Sequence, residues 1–348
     1  MSGVTGAGRL RDIMMSRLGL GRSPKEQRRP VLSFIVITYR MQREALRTLA
    51  SLARDYQQGT AGIDYEVVVV DNASPQPLDL SALGDIGVPL VLVRREQAGV
   101  SPADAINIGV ERSSGEHVAI MIDGARLLSP GVVRSTVEAL RLAAQPVVAV
   151  LGLHLGPGHQ QQTVEQGYSK AVEDQLLESI DWQANGYRLF EIAAWGGSCK
   201  QGWLGLAAES NCICVSRRFY RQLRGYDERF AMSGGGLVNL DFYRRAVEHP
   251  DSTLIYLAGE GCFHQLHGGV TTGQRQQGHS FEELEEEYRR IRGQGFQWPQ
   301  RQPLLYGRLQ AAHAPALLQA AERAMAEEGQ VRVAERCAPF MEPMATSD

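Results

Sequence analysis

The segment Tyr65 to Ser74, YEVVVVDNAS, is a run of β-branched residues that ends in Asp71 and Asn72. It reads as a buried strand that delivers a carboxylate to a loop. Leu32 to Thr38 (LSFIVIT) has the same character, and His117 to Ile122 (HVAIMI) runs straight into Asp123. Open α/β sheets bind ligands at the carboxyl ends of their strands, so Asp71 and Asp123 stand where a ligand is held. A second cluster, Glu260, His264 and His267, lies among glycines in GEGCFHQLHGG, just after the last expected strand at Leu254 to Leu257.

These groups need a frame. Between the first two strands, Gln42 to Gln57 places Leu46, Leu49, Ala50, Ala53 and Tyr56 at helical spacing, giving a strand–helix–strand unit. Further on, Val88 to Arg94 reads as a strand, Ser101 to Ser113 as a helix, and Ser129 to about Ala144 as another helix. Pro146 to Leu153 reads as one strand, Ser210 to Ser216 as the next, then short helices at Arg217 to Leu223 and Asn239 to Glu248. Gly156 to Leu206, with a helix near Ser169 to Ile180, reads as a long loop of lid-like character. After Ser280, FEELEEEYRRIRGQ sets Glu285 four before Arg289 and Glu286 four before Arg290, so the tail is expected to be helical and peripheral.

The chain's 348 residues fit one large α/β domain with tails. A net charge of -3, with no RNA-binding or helix-turn-helix signature, argues against a nucleic-acid partner. Cys199, Cys212, Cys214, Cys262 and Cys337 include no Cys-x-x-Cys, which fits reduced thiols in a cytosolic protein, with Cys212 and Cys214 on one face of a strand. No stretch reaches the roughly 20 apolar residues of a membrane span, and the N-terminus lacks an apolar signal core, so a cytoplasmic protein is expected. Residues 1–30 are basic, with Arg9, Arg11, Arg17, Arg22, Lys25, Arg28 and Arg29, and read as a flexible leader. Leu10, Ile13, Met14 and Leu18 on one helical face offer the alternative of weak contact with the inner membrane surface.

The succession SFIVITYR, YEVVVVDNASPQ, SPADAINIGVERSSGEHVAIMIDGA and GYDERFAMSGGGLVNLDFYRRA resembles the family 2 glycosyltransferases of the GT-A fold over roughly residues 32–272. The resemblance implies a mostly parallel twisted sheet flanked by helices, with a catalytic domain at 31–275 and a helical extension at 276–348. It implies inverting transfer of a sugar from a nucleotide-diphosphate sugar to a hydroxyl of a glycan, lipid-linked or small acceptor. A divalent cation, Mn²⁺ or Mg²⁺, would neutralise the leaving diphosphate, and oxygen ligands suit either. The alternative is a catalytically inactive nucleotide-sugar or glycan-binding domain on the same fold. A dinucleotide dehydrogenase is disfavoured because TYRMQRE follows the first strand in place of a glycine fingerprint.

By the same resemblance, Thr38, Tyr39 and Arg40 surround the base and ribose and Asp71 contacts the nucleoside, although Asp71 has a turn-capping role open to it with Ser74. Asn107 and Gly109 keep the family's Ala-Arg-Asn-x-Gly word while Ile106 replaces its arginine, leaving Arg94 or Arg126 to supply that charge. The family's Asp-x-Asp reads Asp123-Gly124-Ala125, so the first carboxylate is kept and the second is a methyl. His267, beside Gly268 and Gly269, or His264 would complete the metal site. The family's Glu-Asp, whose aspartate is the general base, reads Val238-Asn239. Asp241 or Glu209 is left to serve as base, Asp241 also being free to pair with Arg244 or Arg245 on its own helix. Trp195 and Trp203 suit an acceptor-stacking surface or the core.

Overall fold

A strand that is apolar at every position must be covered on both faces. The computed structural model describes residues 30–97, 99–268 and 280–337, with no side-chain account beyond 326. The basic leader at 1–29 and Gly269 lie outside the described residues. The strands are β1 (Leu32–Thr38), β2 (Tyr65–Asp71), β3 (Leu90–Arg94), β4 (His117–Met121), β5 (Arg126–Leu128) and β6 (Pro146–Val150). They continue as β7 (Gly152–Leu155), β8 (Ala193–Trp195), β9 (Cys212–Ser216), β10 (Thr253–Ala258), β11 (Cys262–His264) and β12 (Leu304–Gly307). The α-helices are α1 (Gln42–Ala50), α2 (Ala103–Arg112), α3 (Val132–Ala139), α4 (Gln160–Glu165) and α5 (Lys170–Ile180). After them come α6 (Arg217–Gln222), α7 (Val238–Val247), α8 (Phe281–Arg292) and α9 (Ala314–Cys337).

Among the described residues, eight strands form one sheet in the order β12-β10-β6-β9-β4-β1-β2-β3. Every neighbouring pair is parallel except those of β9, which runs against β4 and β6. Side-chain alternation divides β1 and β2 between two cores. Ile35, Ile37, Val68 and Val70 join Ile106, Val110, Phe242 and Tyr243 of α2 and α7, whereas Phe34, Val36, Val67 and Val69 join Leu49 of α1 and Val133 of α3. Each such buried aliphatic side chain contributes about 1.5–3 kcal/mol. Gly109 lets α2 lie close on the sheet, since a Cβ there would stand 2.5 Å from Ile35 Cγ2. Ile106 is fully buried in this layer.

Cys212 and Cys214 do share a face, in the core with Leu49. Three other expectations change. The apolar run from Pro146 is two strands: β6 belongs to the large sheet, and after Leu151 the chain passes into β7 of a second sheet, ordered β5-β11-β7-β8. An uninterrupted hydrophobic run looks the same in either case, because both strands are buried. The segment 156–206 is not a lid: it carries α4, α5 and β8, and its Phe190, Trp195 and Trp203 are buried in the core. The tail is not peripheral either. β12 extends the large sheet in parallel beside β10, while Tyr288, Ala316 and Ala320 are buried.

The tail also neutralises charge inside the domain. Arg292 of α8 reaches Asp241 Oδ1 through Nε at 2.6 Å and Oδ2 through Nη2 at 2.7 Å, and Glu287 Oε1 accepts from the backbone N–H of Ala231 at 2.9 Å. Truncation after residue 279 is therefore expected to abolish cooperative thermal unfolding, since it uncovers core and strips a buried carboxylate of a partner. A melting transition like that of the full chain would show the tail to be dispensable.

Candidate active site

The carboxyl ends of β1 and β2 open onto a cleft of about 580 Å³ lined by Thr38, Arg40, Gln42, Ser74, Gln76 and Leu78 among others. Asp71 builds its wall instead of facing it. The carboxylate is buried, with Oδ1 accepting from Ser74 N–H and Oδ2 from Leu78 N–H, both at 3.0 Å. The turn-capping role thus holds in this structure, and it fixes the loop that shapes the cleft. Arg40 N–H donates to Ser74 Oγ at 2.9 Å, joining the two loops, and the Arg40 guanidinium lies over the half-exposed Tyr39 ring at 5.2 Å. Asn107 is committed elsewhere: its amide holds the backbone N–H and C=O of Tyr226 at 3.1 and 3.0 Å. Arg94 is a partner of Asp71 at 3.5 Å.

Next to the cleft, Gly124 lets the Asp123 turn close over β1, for a Cβ there would meet Thr38 Cγ2 at 2.5 Å. Asp123, His264 and His267 each bring a ligand atom within 4.8 Å of the others. The second sheet makes this meeting. Arg126 of β5 pairs with His264 of β11, which pairs with His154 of β7, so these three side chains stand in one row on one face. Ala125 ties the two ligand loops together: its N–H donates to Asp123 Oδ1 at 3.1 Å and its C=O accepts from Gln265 N–H at 2.8 Å.

The histidine loop is also clamped from α1 and α5. Leu266 N–H donates to Glu173 Oε2 at 2.7 Å, Arg43 Nη2 donates to Leu266 C=O at 3.0 Å, and Arg43 bridges to Glu173 at 2.8 Å. Gln160 sets the His264 tautomer. Its Nε2 donates to the carbonyls of Leu155 and His264, so Oε1 must accept from His264 Nδ1, 2.6 Å away. His264 Nε2 is then a lone pair, aimed at His267 Nε2 at 3.1 Å. Burial, reinforced by the Arg126 charge, pushes His264 well below the usual imidazole range. His267 is lowered too, by burial first and by Arg126 against the opposing pull of Asp123. Two neutral imidazoles with a carboxylate, one imidazole oriented by a buried amide, fit a divalent cation. Glu260 is not part of this set: Ser129 Oγ, Gly131 N–H and Tyr187 O–H all donate to it at the start of α3.

Arg126 is buried beside the triad, its Nε donating to Asp123 Oδ2 at 2.8 Å. Burial is the largest influence and works against its charge, but Asp123 together with Cys262 and Glu209 outweighs it and raises the guanidinium above its ordinary value. His154, which motif reading passes over, is the next group in the row; burial and then His159 push it down to about 3. The alternation Gly-Leu-His-Leu in β7 is the signal that marks it.

Of the two candidate bases, only Glu209 is partly exposed. Asp241 is fully buried, and Arg245 and Arg292 take both oxygens at 2.6 to 2.7 Å. That is the ion-pair role foreseen with Arg245, completed by an arginine 51 residues on. Asn239 is buried and bonded to Glu209. Trp195 and Trp203 are core residues in edge contact with centroids 4.9 Å apart, Trp195 Nε1–H donating to Ala316 C=O, so neither offers a stacking surface.

Residues 33–176 match the family model "Glycosyl transferase family 2". That match runs from β1 into α5, less than half of the chain. Its mostly parallel sheet flanked by helices is the GT-A arrangement that the sequence led us to expect. No curated protein matches the sequence. Among solved structures, it is similar to TarS 1-349 from S. aureus in complex with UDP-GlcNAc, at 15% identity and TM-score 0.48, over 75% of this chain and 65% of that one. It is similar to GalNAc-T7 with UDP, GalNAc and Mn²⁺, at 13% identity and TM-score 0.45, over 68% and 44%. It is also similar to the mannosyltransferase PcManGT from Pyrobaculum calidifontis with GDP-Man and Mn²⁺, at 15% and 0.44, over 97% and 89%. The chain thus spans less than two thirds of the length of that TarS structure.

Two outcomes follow for this site. Mn²⁺ binding, followed by calorimetry or by the EPR signal of the free ion, is expected to weaken in Asp123→Ala and His267→Ala, and about 10–100-fold in Gln160→Ala, which leaves the ligands in place but frees the ring. Wild-type affinity in Asp123→Ala would remove the triad as the cation site. Asp241→Asn is expected to cost about 1.5–3 kcal/mol of stability through its charged hydrogen bonds, read by denaturant titration, while Mn²⁺ affinity stays unchanged.

Proposed function

We propose that this protein transfers a hexose-type sugar, with inversion, from a nucleotide-diphosphate sugar to a hydroxyl of a glycan, lipid-linked or small acceptor. The observation that carries this reading is the Asp123, His264 and His267 triad beside the cleft at the ends of β1 and β2. In it, Thr38, Tyr39 and Arg40 receive the nucleoside in the cleft that Asp71 shapes. Asp123 and the two histidines hold Mn²⁺ or Mg²⁺, which when bound neutralises charge on the diphosphate. Arg126 adds a fixed positive charge next to them. Glu209, near enough to Arg126 for its charge to act on the guanidinium, takes the proton of the acceptor hydroxyl. We assign residues 31–275 to catalysis and 276–348 to an extension that braces it. No helix among the described residues is long and apolar enough to cross a membrane; any membrane association would run through the basic leader.

Thermal shift with UDP, GDP and dTDP in the presence of Mn²⁺ tests the donor site. A ligand at 100 times its Kd stabilises the folded state by about 2.7 kcal/mol, which is about 5–10 °C for a domain of this size. A matching nucleotide sugar should release nucleoside diphosphate on incubation. Absence of any shift with all three at millimolar concentration overturns the donor site, and a shift without turnover of any donor favours the inactive binding domain.

A further inference from the structure

Glu209 lies just before β9, and two donors hold its carboxylate. Ser198 Oγ–H donates to Oε1 at 2.9 Å and Asn239 Nδ2–H to Oε2 at 2.7 Å. The Asn239 amide has one workable orientation. Its Nδ2 faces three oxygens, those of Glu209, the Ser210 carbonyl at 3.3 Å and Asn211 Oδ1 at 3.4 Å, while its Oδ1 accepts from Tyr226 O–H at 3.1 Å. Turned over, the amide would set its oxygen against three acceptors. Tyr226 is itself immobilised: its ring stacks on Phe242 with centroids 4.4 Å apart, and Asn107 grips its backbone on both sides. A line of hydrogen bonds therefore runs from Asn107 on α2 through Tyr226 and Asn239 to Glu209.

We propose that Asn239 is a positioning residue that presents Glu209 as proton acceptor, and that an amide at 239 and a carboxylate at 209 are an obligate pair. The inference rests on the reading of Glu209 as the base. In the step it serves, the acceptor O–H proton passes to Glu209 and the acceptor oxygen's electron pair forms the bond to the anomeric carbon. The bond from that carbon to the diphosphate breaks, its electrons leaving with the diphosphate. An amide donates a hydrogen bond whatever the pH. An aspartate at 239, the residue expected by family pattern, would face Glu209 across 2.7 Å with no proton between them, and two carboxylates so close must share one. Other titratable or charged groups near Glu209 are Arg126, Cys199, Tyr226 and Tyr243. Asp241, on the same helix as Asn239, is already neutralised by Arg245 and Arg292.

The test is a ¹³C NMR titration of the full chain labelled at glutamate, with Glu209 identified by Glu209→Gln, alongside the pH profile of kcat/KM. In Asn239→Asp the Glu209 titration and the acidic limb of the profile are expected to move up together by about one unit or more. Tyr226→Phe, which removes the donor that holds the amide oxygen, is expected to lower kcat about tenfold with the KM for donor held within about twofold, and melting scans check that both variants fold. A role in packing alone would lower the melting temperature without moving either titration. An unmoved Glu209 titration in folded Asn239→Asp overturns the inference; if that variant does not fold, unchanged kcat in Tyr226→Phe overturns it. Failure of the wild type to turn over any donor overturns the proposed function instead, and the NMR titration reads the pair without turnover.

Discussion

The antiparallel pairing of β5 with β11 is the contact on which the candidate site depends. It sets Arg126 opposite His264 and lets the Ala125 carbonyl accept from Gln265 N–H, so that a turn after β4 and a loop after β10 become one structure. Each ligand is useless without the other: a lone carboxylate in water is a poor cation site, and two histidines alone lack the negative charge that favours a hard ion. Burial then makes the histidines suitable, because desolvation opposes the charged imidazolium and leaves both rings neutral.

Much of the surrounding polar structure exists to make such burial tolerable. Glu173 is fully buried, and burial raises its pKa, yet Arg43, Tyr168 and Leu266 N–H all donate to it. Asp241 is treated likewise by two arginines. A buried charge left without a partner is costly, so these carboxylates act as fasteners between segments distant in sequence: Glu173 and Arg43 fix the histidine loop, and Asp241 and Arg292 fix the tail. Beside Glu209 the fastener is uncharged: the Asn239 amide, which joins Glu209 to Tyr226.

The large sheet was legible in advance because its strands are continuous β-branched runs and a parallel sheet covered on both faces demands nothing else. β1 was read to the residue and β2 to within its terminal loop. The second sheet was not legible. Its strands are three or four residues long, too short for a periodicity, and one is the continuation of an apolar run already assigned to β6. The tail misled for a related reason: charged pairs four apart describe the exposed side of α8, whereas the buried side presents Glu287 and Tyr288 to the domain.

By itself the sequence determined which groups are available at the ligand-binding edge: Asp71, Asp123, His264 and His267 follow strands, and a strand must end where its apolar run ends. It also puts Ala125 and Asn239 at the positions where the resemblance led us to expect a second metal aspartate and a base. Only the tertiary structure decided what each group does, since a role depends on partners brought from far along the chain. Asp71 caps a turn because Ser74 and Leu78 fold back on it. Trp195 and Trp203 are core because α9 covers them. Asp241 and Glu209 carry the same functional group, but one is closed by an arginine from the tail while the other remains partly exposed. Those differences are contacts across tens to hundreds of residues, which local sequence patterns do not encode.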